Sequence, residues 1–566
     1  MESTNREPSE KALAESVSSE KLDESLNFNI SDDTPQPDGP TATKSEDGRS
    51  KEGTDGQSVT TPKFLTRVNL NANSGATDVE ANEQRTITTK LFPITNLDQG
   101  IIGWDSQDDP ENPQNFAMSQ KWGLLALMTA MTFISPLASS AFSPAVSYVA
   151  VDLHEDNQTV LSLGVSIFLL GYTVGPLVLA PMSEIYGRRI VLSCANWFLV
   201  LWQIGCALAP NIETLIICRM FAGMGGAGCL TLGAGLIADL FPIEQRGLAT
   251  ALWSCGPLIG PVVGPIAGGF MGETIGWRWI FWMVMIAAGL VSFGIEVLNR
   301  ETYAIVLIRR KTEHLSKELG RSDLRSAYET SVERASLSLT MKRGLKRPIV
   351  LLLRSPMVLL LSLYVAVVYG LLYLFFTTIA IVFESQYGFS TGLSGLAFLG
   401  IGLGFVIGLI LYGVTNDRVV LKLTVRNGGK YEPEMRLPAM IAFSSLLPIS
   451  FFWYGWSVEK NAHWIVPIIG MAPYGIGMMG VFLPVQTYII DAYSRYAASG
   501  NASLTTIRSL IGAVLPLAGP QLFKALGLGW GNSLLGFIAL AFLPVPIFFS
   551  RYGQRIREKF PVNLDG

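Results

Sequence analysis

The chain has 566 residues, of which 49% are hydrophobic and only 15% are charged, whereas ordinary soluble domains carry about 25% charged residues. Residues 1–121 hold 33 of the 87 charged side chains, and residues 298–355 hold another 19. Because charge is so scarce elsewhere, the composition excludes a water-soluble enzyme and favours a membrane protein.

The first predicted element is a disordered, cytosolic N-terminal tail over residues 1–117. This segment has no sustained apolar period and is rich in Ser, Thr, Glu, Asp, Asn and Gly. It cannot bury enough apolar surface to offset the entropy of ordering. Nothing apolar opens the chain, so we expect the first internal apolar helix to direct membrane insertion.

The sequence next predicts twelve transmembrane helices. A helix needs about 20 apolar residues to cross a hydrocarbon core of about 30 Å, and the chain contains twelve apolar runs of about that length. The apolar runs lie at about 122–144, 159–181, 190–209, 214–238, 248–271, 279–298, 356–381, 393–415, 437–457, 464–490, 502–523 and 530–550. They predict an all-α membrane protein with six-helix bundles at 118–298 and 356–550, a central loop at 299–355 and a tail at 551–566.

The orientation follows from the basic residues after position 121. With the N-terminus in the cytosol, 26 of these 31 residues lie on cytosolic segments and three lie outside, as the positive-inside rule requires. Both termini and the central loop are therefore predicted to be cytosolic. Residues 309–320 are expected to form either an amphipathic helix on the inner leaflet or a solvated linker helix.

The two halves show weak internal similarity. Asp239 and Asp491 each end the fourth span of a half, and each is followed within seven residues by an arginine, which is Arg495 in the second half. The loops predicted at 183–189 and 415–420 also correspond in position. This pattern is typical of parallel-repeat transporters, whose substrate site lies near mid-membrane between the halves.

A glycine stripe marks the fifth span, in the segment GPLIGPVVGPIAGG at 256–269. Its glycines recur four residues apart at Gly256, Gly260, Gly264 and Gly268. Such a stripe lets a neighbouring helix pack at close range, while the intervening prolines favour a bend. The stripe alone also fits ordinary packing of a membrane helix.

The pattern of Gly260, Gly264, Pro265, Gly268 and Gly269 resembles the antiporter motif in the fifth helix of drug:proton antiporters of the major facilitator superfamily. APMSEIYGRR at 180–189 resembles the helix 2–3 motif of that superfamily, with an isoleucine where the motif has its first arginine. WDSQDDPENPQNF, NRETYAIVLIRRK, YEPEMRLP and IIDAYSRYAASGNASLTTIRS resemble the fungal branch of twelve-span drug:proton antiporters, which includes multidrug, polyamine and toxin exporters.

Several charged residues are candidates for gating. A cytosolic gate that holds the outward-facing state is expected to form from Glu184, Arg188, Arg189 and Asp239. The full set of gate candidates in both halves is Glu184, Gly187, Arg188, Arg189, Asp239, Asp491 and Arg495. Asp239 and Asp491 are interpreted as conformational latches rather than proton carriers. Arg508 is expected to pair with Asp491 or with exposed carbonyls.

Fewer residues are candidates for proton coupling or substrate binding than for gating. ICRMFAGMGGAG at 217–228 resembles the helix 4 motif with a membrane-embedded arginine, so Arg219 is either a partner of the coupling proton or substrate, or part of a structural ion pair. No single acid can be assigned to the proton, and the candidates are Asp152, Asp239, Glu296, Glu384 and Asp491.

Aromatic residues on two spans could contact a flat substrate. Tyr364, Tyr369, Tyr373 and Phe376 have near-helical spacing on the seventh span, with Tyr474 and Gln486 as further candidates on the tenth, although such stripes also serve as packing surface. Asn157 begins a glycosylation sequence close to the membrane. The five cysteines are interpreted as apolar packing residues, and we expect no metal and no cofactor.

Together these features predict a proton-coupled antiporter that exports drugs, toxins or other amphipathic small organic molecules across the fungal plasma membrane by alternating access. The expected partners are the substrate, protons and lipid but not nucleic acid, and the expected state is a monomer. A proton-linked importer or polyamine transporter of the same fold, and a non-transporting membrane sensor, are the alternatives. A membrane enzyme is least favoured, because no nucleophile–base pair lies in the spans.

Overall fold

The computed structural model describes residues 92–328, 337–493 and 497–560. Residues 1–91 of the predicted tail, residues 561–566 of the C-terminal tail and the gate candidate Arg495 lie outside the described residues.

The N-terminal half contains six spans. They are span 1 (Met118–Ser140), span 2 (Gln158–Ser166 and Phe168–Tyr186), span 3 (Arg188–Ala207), span 4 (Ile212–Leu240), span 5 (Ile243–Thr274) and span 6 (Arg278–Leu298). A short helix, Val146–Asp152, lies between spans 1 and 2. Asparagine side chains cap spans 2 and 4: Asn157 accepts from the backbone N–H of Thr159, and Asn211 from that of Thr214.

The C-terminal half continues with span 7 (Pro356–Tyr387), span 8 (Thr391–Leu396 and Leu399–Arg426), span 9 (Leu437–Ser444 and Leu446–Glu459, after a 3-10 turn at Pro433–Arg436) and span 10 (Ile465–Ala492). The remaining helices are Ala497–Val514, Gly519–Ala541 and Pro544–Lys559, with a 3-10 turn at Leu515–Ala518. The loop predicted at 415–420 is wrong, because these residues continue the helix of span 8 to Arg426.

The last apolar segment of the described chain, Ser499–Lys559, contains two spans. It is 61 residues long, and a straight helix of that length would measure about 90 Å, three times the hydrocarbon core. Gly527 breaks it with φ 73° and ψ 176°, and Phe523 packs against Gly531 across the break. Span 11 therefore ends and span 12 begins at Gly527, and with the ten preceding segments the predicted fold of twelve spans in two six-helix bundles is confirmed.

Small residues bring the helices of each half together. The backbone of span 4 at Gly223 approaches the backbone of span 2 at Phe168, and its Gly225 approaches span 3 at Leu199. In the second half, Gly404 of span 8 approaches the backbone of span 10 at Gly475. Because lipid tails are as apolar as leucine, such close backbone packing is a main source of association between membrane helices.

Residues 92–117 are folded, so the prediction of a disordered tail is wrong for this part. Ile101–Ile102 pairs as a parallel strand with Arg325–Ser326. Trp104 is 1% exposed, and its indole N–H donates to the hydroxyl of Tyr328 at 3.0 Å. Its partners lie more than 200 residues away, which is why local composition could not reveal this structure.

The predicted linker helix covers this folded segment. It runs over Ala304–Leu319, and its buried Ile308 packs with Ile102 and Trp104 instead of facing lipid or water. We call residues 92–117 and 304–328 the clamp. Arg309 and Arg310 donate to the last carbonyls of span 2, at 2.8 and 3.0 Å, which attaches the clamp to the first half. A second linker helix, Leu337–Arg354, leads into span 7.

Candidate functional site

We call the end of the molecule that carries Gly269 and Thr391 the outer end, following the orientation predicted from the basic residues, and the opposite end the inner end. At the outer end, spans 5 and 8 touch. A Cβ at Gly395 would lie 2.5 Å from the carbonyl oxygen of Pro265, and one at Gly269 would lie 2.6 Å from that of Thr391. Glu273 accepts a hydrogen bond from the backbone N–H of Gly392 at 2.7 Å. These residues form what we call the outer contact.

Two further helix pairs join the halves above mid-membrane. Ser139 of span 1 and Tyr373 of span 7 share a hydrogen bond of 2.8 Å between their hydroxyls, and one turn further out Ser143 donates to the carbonyl of Phe376. Ser166 of span 2 donates to the carbonyl of Ala513 in span 11 at 2.8 Å. The two halves are therefore closed against each other at the outer end.

The predicted antiporter-motif residues divide between two interfaces. Gly256, Gly260, Gly264 and Gly268 all face span 1, where added side chains would meet the backbone at Thr129, Phe133, Leu137 and Ala141. Gly269 and the carbonyl of Pro265 instead face span 8 in the other half. The stripe thus holds the first half together, while only the end of the motif contacts the second half.

Arg219 is 1% exposed and caps the C-terminal ends of two helices. Its Nη2 donates to the carbonyls of Ser139 at 2.9 Å and Val165 at 3.4 Å, and its Nη1 lies 3.5 Å from the carbonyl oxygen of Ala138. These carbonyls belong to the last turns of span 1 and of Gln158–Ser166, where intrahelical partners are missing. Insertion of an arginine at mid-membrane costs about 2.5–3.5 kcal/mol, and hydrogen bonds to a charged group, at about 1.5–3 kcal/mol each, offset that cost.

Arg508 does not pair with Asp491, so that prediction is wrong. Its guanidinium packs over two rings, 4.7 Å from the centroid of Tyr369 on span 7 and 4.9 Å from that of Phe482 on span 10. Its Nε is buried without a hydrogen-bond partner. Among the described residues, no carboxylate lies within 4.0 Å of Arg508 and no carbonyl accepts from it. Cation–π contacts contribute about 0.5–2 kcal/mol each, so they satisfy its charge but leave its N–H groups without acceptors.

The surroundings of Arg508 include both halves. Gln486 of span 10 donates to Asn501 of span 11 at 3.3 Å, toward the inner end. Across the boundary, the hydroxyl of Tyr172 on span 2 lies 2.6 Å from that of Ser135 and within the electrostatic reach of Arg508.

Of the other predicted substrate residues, Tyr373 bridges the halves through Ser139, and Tyr369 packs against Tyr373 at 5.2 Å between ring centroids. Tyr474 is fully buried inside the second half, where its hydroxyl donates to the carbonyl of Val368, so it is a packing residue. Tyr364 stacks on Phe542 and is also buried there.

The predicted inner gate is two separate ion pairs within the first half. Arg188 pairs with Asp239 at 3.4 Å and stacks over the ring of Tyr303 at 4.7 Å. Arg189 pairs with Glu296 at 3.7 Å. Glu184 is exposed and makes no ion pair with any described residue, so the predicted four-residue gate is not assembled in this conformation.

Sequence reasoning missed Glu301, which organises this region. Its carboxylate accepts the backbone N–H groups of Arg188, Thr302 and Tyr303 at 2.9, 3.0 and 3.0 Å. It lies against Gly187, where it leaves no room for a side chain, and the φ of 99° there also favours glycine. The carboxylate therefore caps the N-terminus of span 3. The segment NRETYA, already noted for its resemblance, was the available signal.

In the second half, Asp491 makes the equivalent ion pair with residues at the start of span 9. Its carboxylate lies 2.6 Å from Nε of Arg436 and accepts from the hydroxyl of Tyr431 at 2.5 Å. Burial and the neighbouring carboxylate raise the pKa of Tyr431 to about 12. The two repeated aspartates thus each pair within their own half.

The remaining acid candidates lie near the outer end, apart from Glu296. Asp152 bonds to Arg278 and to the indole N–H of Trp277 (3.1 Å to Trp277), and the Arg278 hydrogen bond lowers the pKa of Asp152. Glu384 accepts from Ser394 at 3.3 Å. Neither Glu384 nor Glu273 has a basic partner within 4.0 Å among the described residues. The described residues also contain no cluster of three or more His, Cys, Asp or Glu arranged for a metal ion.

A cavity of about 330 Å³ lies at the inner end of the second half. It is lined by the end of span 8, the start of span 9 and the end of span 12, including Arg426, Glu434 and Gln554. Glu434 is held there by Arg557 at 2.8 Å. Because this cavity lies within one half, it is not on the boundary where a substrate would cross.

Comparisons with known proteins agree with this architecture. The sequence model of the Major Facilitator Superfamily matches residues 128–516. The MFS-type transporter penM of Penicillium rubens is 47% identical over 501 residues, which cover 87% of this chain and 98% of that protein. The efflux pump radE of Floropilus chiversii is 42% identical over 470 residues, which cover 82% and 87%.

Among solved structures, a partially occluded inward-open conformation of the xylose transporter XylE from E. coli matches with a TM-score of 0.58 at 16% identity, covering 77% of this chain and 98% of that one. A crystal structure of a D-xylose-proton symporter matches with a TM-score of 0.56 at 15% identity, covering 78% and 98%. At such low identity, these similarities establish the fold alone.

Proposed function

The chain belongs to the major facilitator superfamily of membrane transporters, and we propose that it exports small amphipathic organic molecules across the fungal plasma membrane in exchange for protons. Its two halves would open alternately to the cytosol and to the outside. Both termini would lie in the cytosol, and the working unit would be a monomer.

The observation that carries this proposal is the position of the Arg508 and Tyr369 cluster. It lies in the boundary between the halves, on the inner side of the helix pairs that close the outer end. A substrate bound there would reach the outside only after the outer contact opens. The outer contact consists of side-chain hydrogen bonds and glycine packing, which separate without breaking any helix.

Export rather than uptake is supported by two features. The fifth span carries the antiporter-like motif, whose Gly269 forms part of the outer contact. One of the related proteins is named an efflux pump. For proton coupling, Glu273 and Glu384 are the first acids to test, because both lie at the outer contact without a described basic partner.

Transport by everted vesicles tests the direction. With an acidic lumen, protons leave toward the cytosolic face, so an exporter drives substrate into the lumen. A panel of azoles, polyamines and polyketide toxins is assayed, and glutamine variants of Glu273 and Glu384 are compared with the wild type. Substrate loss from the lumen under the same gradient would show a proton-linked importer, and uptake that ignores the pH gradient would refute proton coupling.

Deletion of the tail tests the sensor alternative. The deletion removes residues 1–91 only, because residues 92–117 belong to the clamp. A transporter retains gradient-driven transport after this deletion. Complete loss of cellular response together with an absence of transport by the full chain would favour a sensor.

A further inference from the structure

We propose that the transported molecules are organic anions with a flat apolar body, bound by Arg508 between Tyr369 and Phe482. This inference rests on the proposed function, because it names the substrate class of the same boundary site. The two arginines in the apolar middle of the spans, Arg219 and Arg508, differ in their partners.

Arg508 lies deep in the membrane-spanning region. It lies 11 residues after Ala497, the first residue of its helix, which corresponds to about 17 Å along the axis. This is about half of a 30 Å hydrocarbon core. A cation at that depth normally pairs with an acid or with backbone carbonyls.

None of the described residues supplies an acceptor to Arg508. Arg219 donates to carbonyls at the ends of two helices. Arg508 has neither carbonyl nor carboxylate partners among the described residues. The Nε atoms of both arginines are buried without a partner, so the two differ in the acceptors available to their other N–H groups. Guanidinium carries five N–H donors in a planar fork that matches a carboxylate with two parallel hydrogen bonds.

Two aromatic rings form walls beside the guanidinium. Tyr369 and Phe482 present ring faces at 4.7 and 4.9 Å, and all three side chains are only partly buried. Gln486 and Asn501 follow on the same faces of spans 10 and 11, toward the inner end. This arrangement offers a charged anchor, flat apolar walls and amide groups, which suits an aromatic carboxylate or an acidic phenol and disfavours a polyamine.

Binding to the purified full chain tests the inference without any gradient. The probes are 2-naphthoate, the uncharged 2-naphthamide and the cationic 2-naphthylmethylammonium, measured by isothermal titration calorimetry. We expect the wild type to bind naphthoate at least about tenfold more tightly than naphthamide. Arg508→Gln should remove that preference and leave the affinity for naphthamide unchanged. Arg278→Gln, at an arginine already paired with Asp152, should change neither affinity.

Thermal unfolding distinguishes a ligand-binding arginine from a structural one. Because no described residue is hydrogen-bonded to Arg508, Arg508→Leu should unfold no earlier than the wild type, whereas Arg219→Leu should unfold earlier. Equal binding of the three probes by the wild type, no binding of naphthoate up to its solubility, or an early-unfolding Arg508→Leu would each overturn the inference. Anion binding that depends on Arg508 would stand even if vesicles showed no proton-driven export, so the two proposals fail separately.

Discussion

Replacing Gly395 with alanine tests whether the outer contact opens during transport. The new Cβ would lie 2.5 Å from the carbonyl oxygen of Pro265 and 3.1 Å from the Cα of Ile266, both in the backbone of span 5. Ordinary van der Waals contact begins at 3.4 Å. Spans 5 and 8 must therefore separate by about 0.9 Å, the difference between 3.4 and 2.5 Å, and no flexible side chain is available to yield instead.

The size of the shift in the conformational equilibrium depends on which conformation carries this strain. An overpacked contact costs about 1–3 kcal/mol. Because the strain exists only while the halves touch at the outer end, it destabilises the closed conformation and leaves the open one unaffected. The equilibrium should move toward the outward-open conformation by about 5- to 150-fold.

A cysteine at position 143 reports this change. Ser143 is 4% exposed in the closed conformation, and Ser143→Cys can be labelled from outside with a membrane-impermeant maleimide once the halves separate. The background lacks the five native cysteines, which are Cys194, Cys206, Cys218, Cys229 and Cys255. We expect Gly395→Ala to raise the labelling rate at least about fivefold.

Two glycines provide matched controls. A Cβ at Gly289 meets nothing within 4 Å, and a Cβ at Gly256 meets span 1 within the same half. Neither alanine variant should change the labelling rate, although Gly256→Ala should lower the unfolding temperature. An unchanged rate in well-folded Gly395→Ala, or an equal increase in Gly256→Ala, would refute the role of spans 5 and 8 in opening.

Three further predictions concern stability. Gly260→Val should reduce the amount of folded protein, because the new side chain would meet the backbone of span 1 and this overpacking costs about 1–3 kcal/mol of stability. Fluorescence-detected size exclusion should show the loss, and Gly289→Val should show none. Glu301→Ala should destabilise the protein by about 1–2 kcal/mol through the uncapped span 3, and equal unfolding temperatures would contradict the cap. Arg278 lowers the pKa of Asp152 below its usual 3.8 in the folded protein. The stability that Asp152 contributes is therefore present above pH 3.8 and is lost as the pH falls through the lower folded pKa. Asp152→Asn should flatten the decline in unfolding temperature below about pH 4, and an unchanged decline would refute this role of Asp152.

The sequence was sufficient for the spans because hydrocarbon imposes a single requirement, about 20 apolar residues, on each of them. It was insufficient for the direction in which residues on a span face. The sequence does not distinguish one motif glycine from another, yet Gly260 contacts span 1 and Gly269 contacts the other half. A bulky side chain at Gly260 is therefore expected to reduce the amount of folded protein, because it acts on packing within the first half.

The partners of the charged residues depend on depth, which periodicity does not give. Asp491 lies at the inner end of span 10, whereas Arg508 lies about 17 Å up span 11. Asp491 therefore pairs with Arg436, which begins the neighbouring span at the same level. The acceptor-poor environment of Arg508 became visible only once spans 7, 10 and 11 were placed around it.

The clamp also constrains the order of events during synthesis. Trp104 and Tyr328 are 224 residues apart, so at about 5–20 residues per second the ribosome needs roughly 11–45 s to make the second after the first. Within that interval all six spans of the first half are made, and the seventh has not yet been translated. The newly made chain can therefore close Trp104 against Tyr328 only after the whole first bundle has been made.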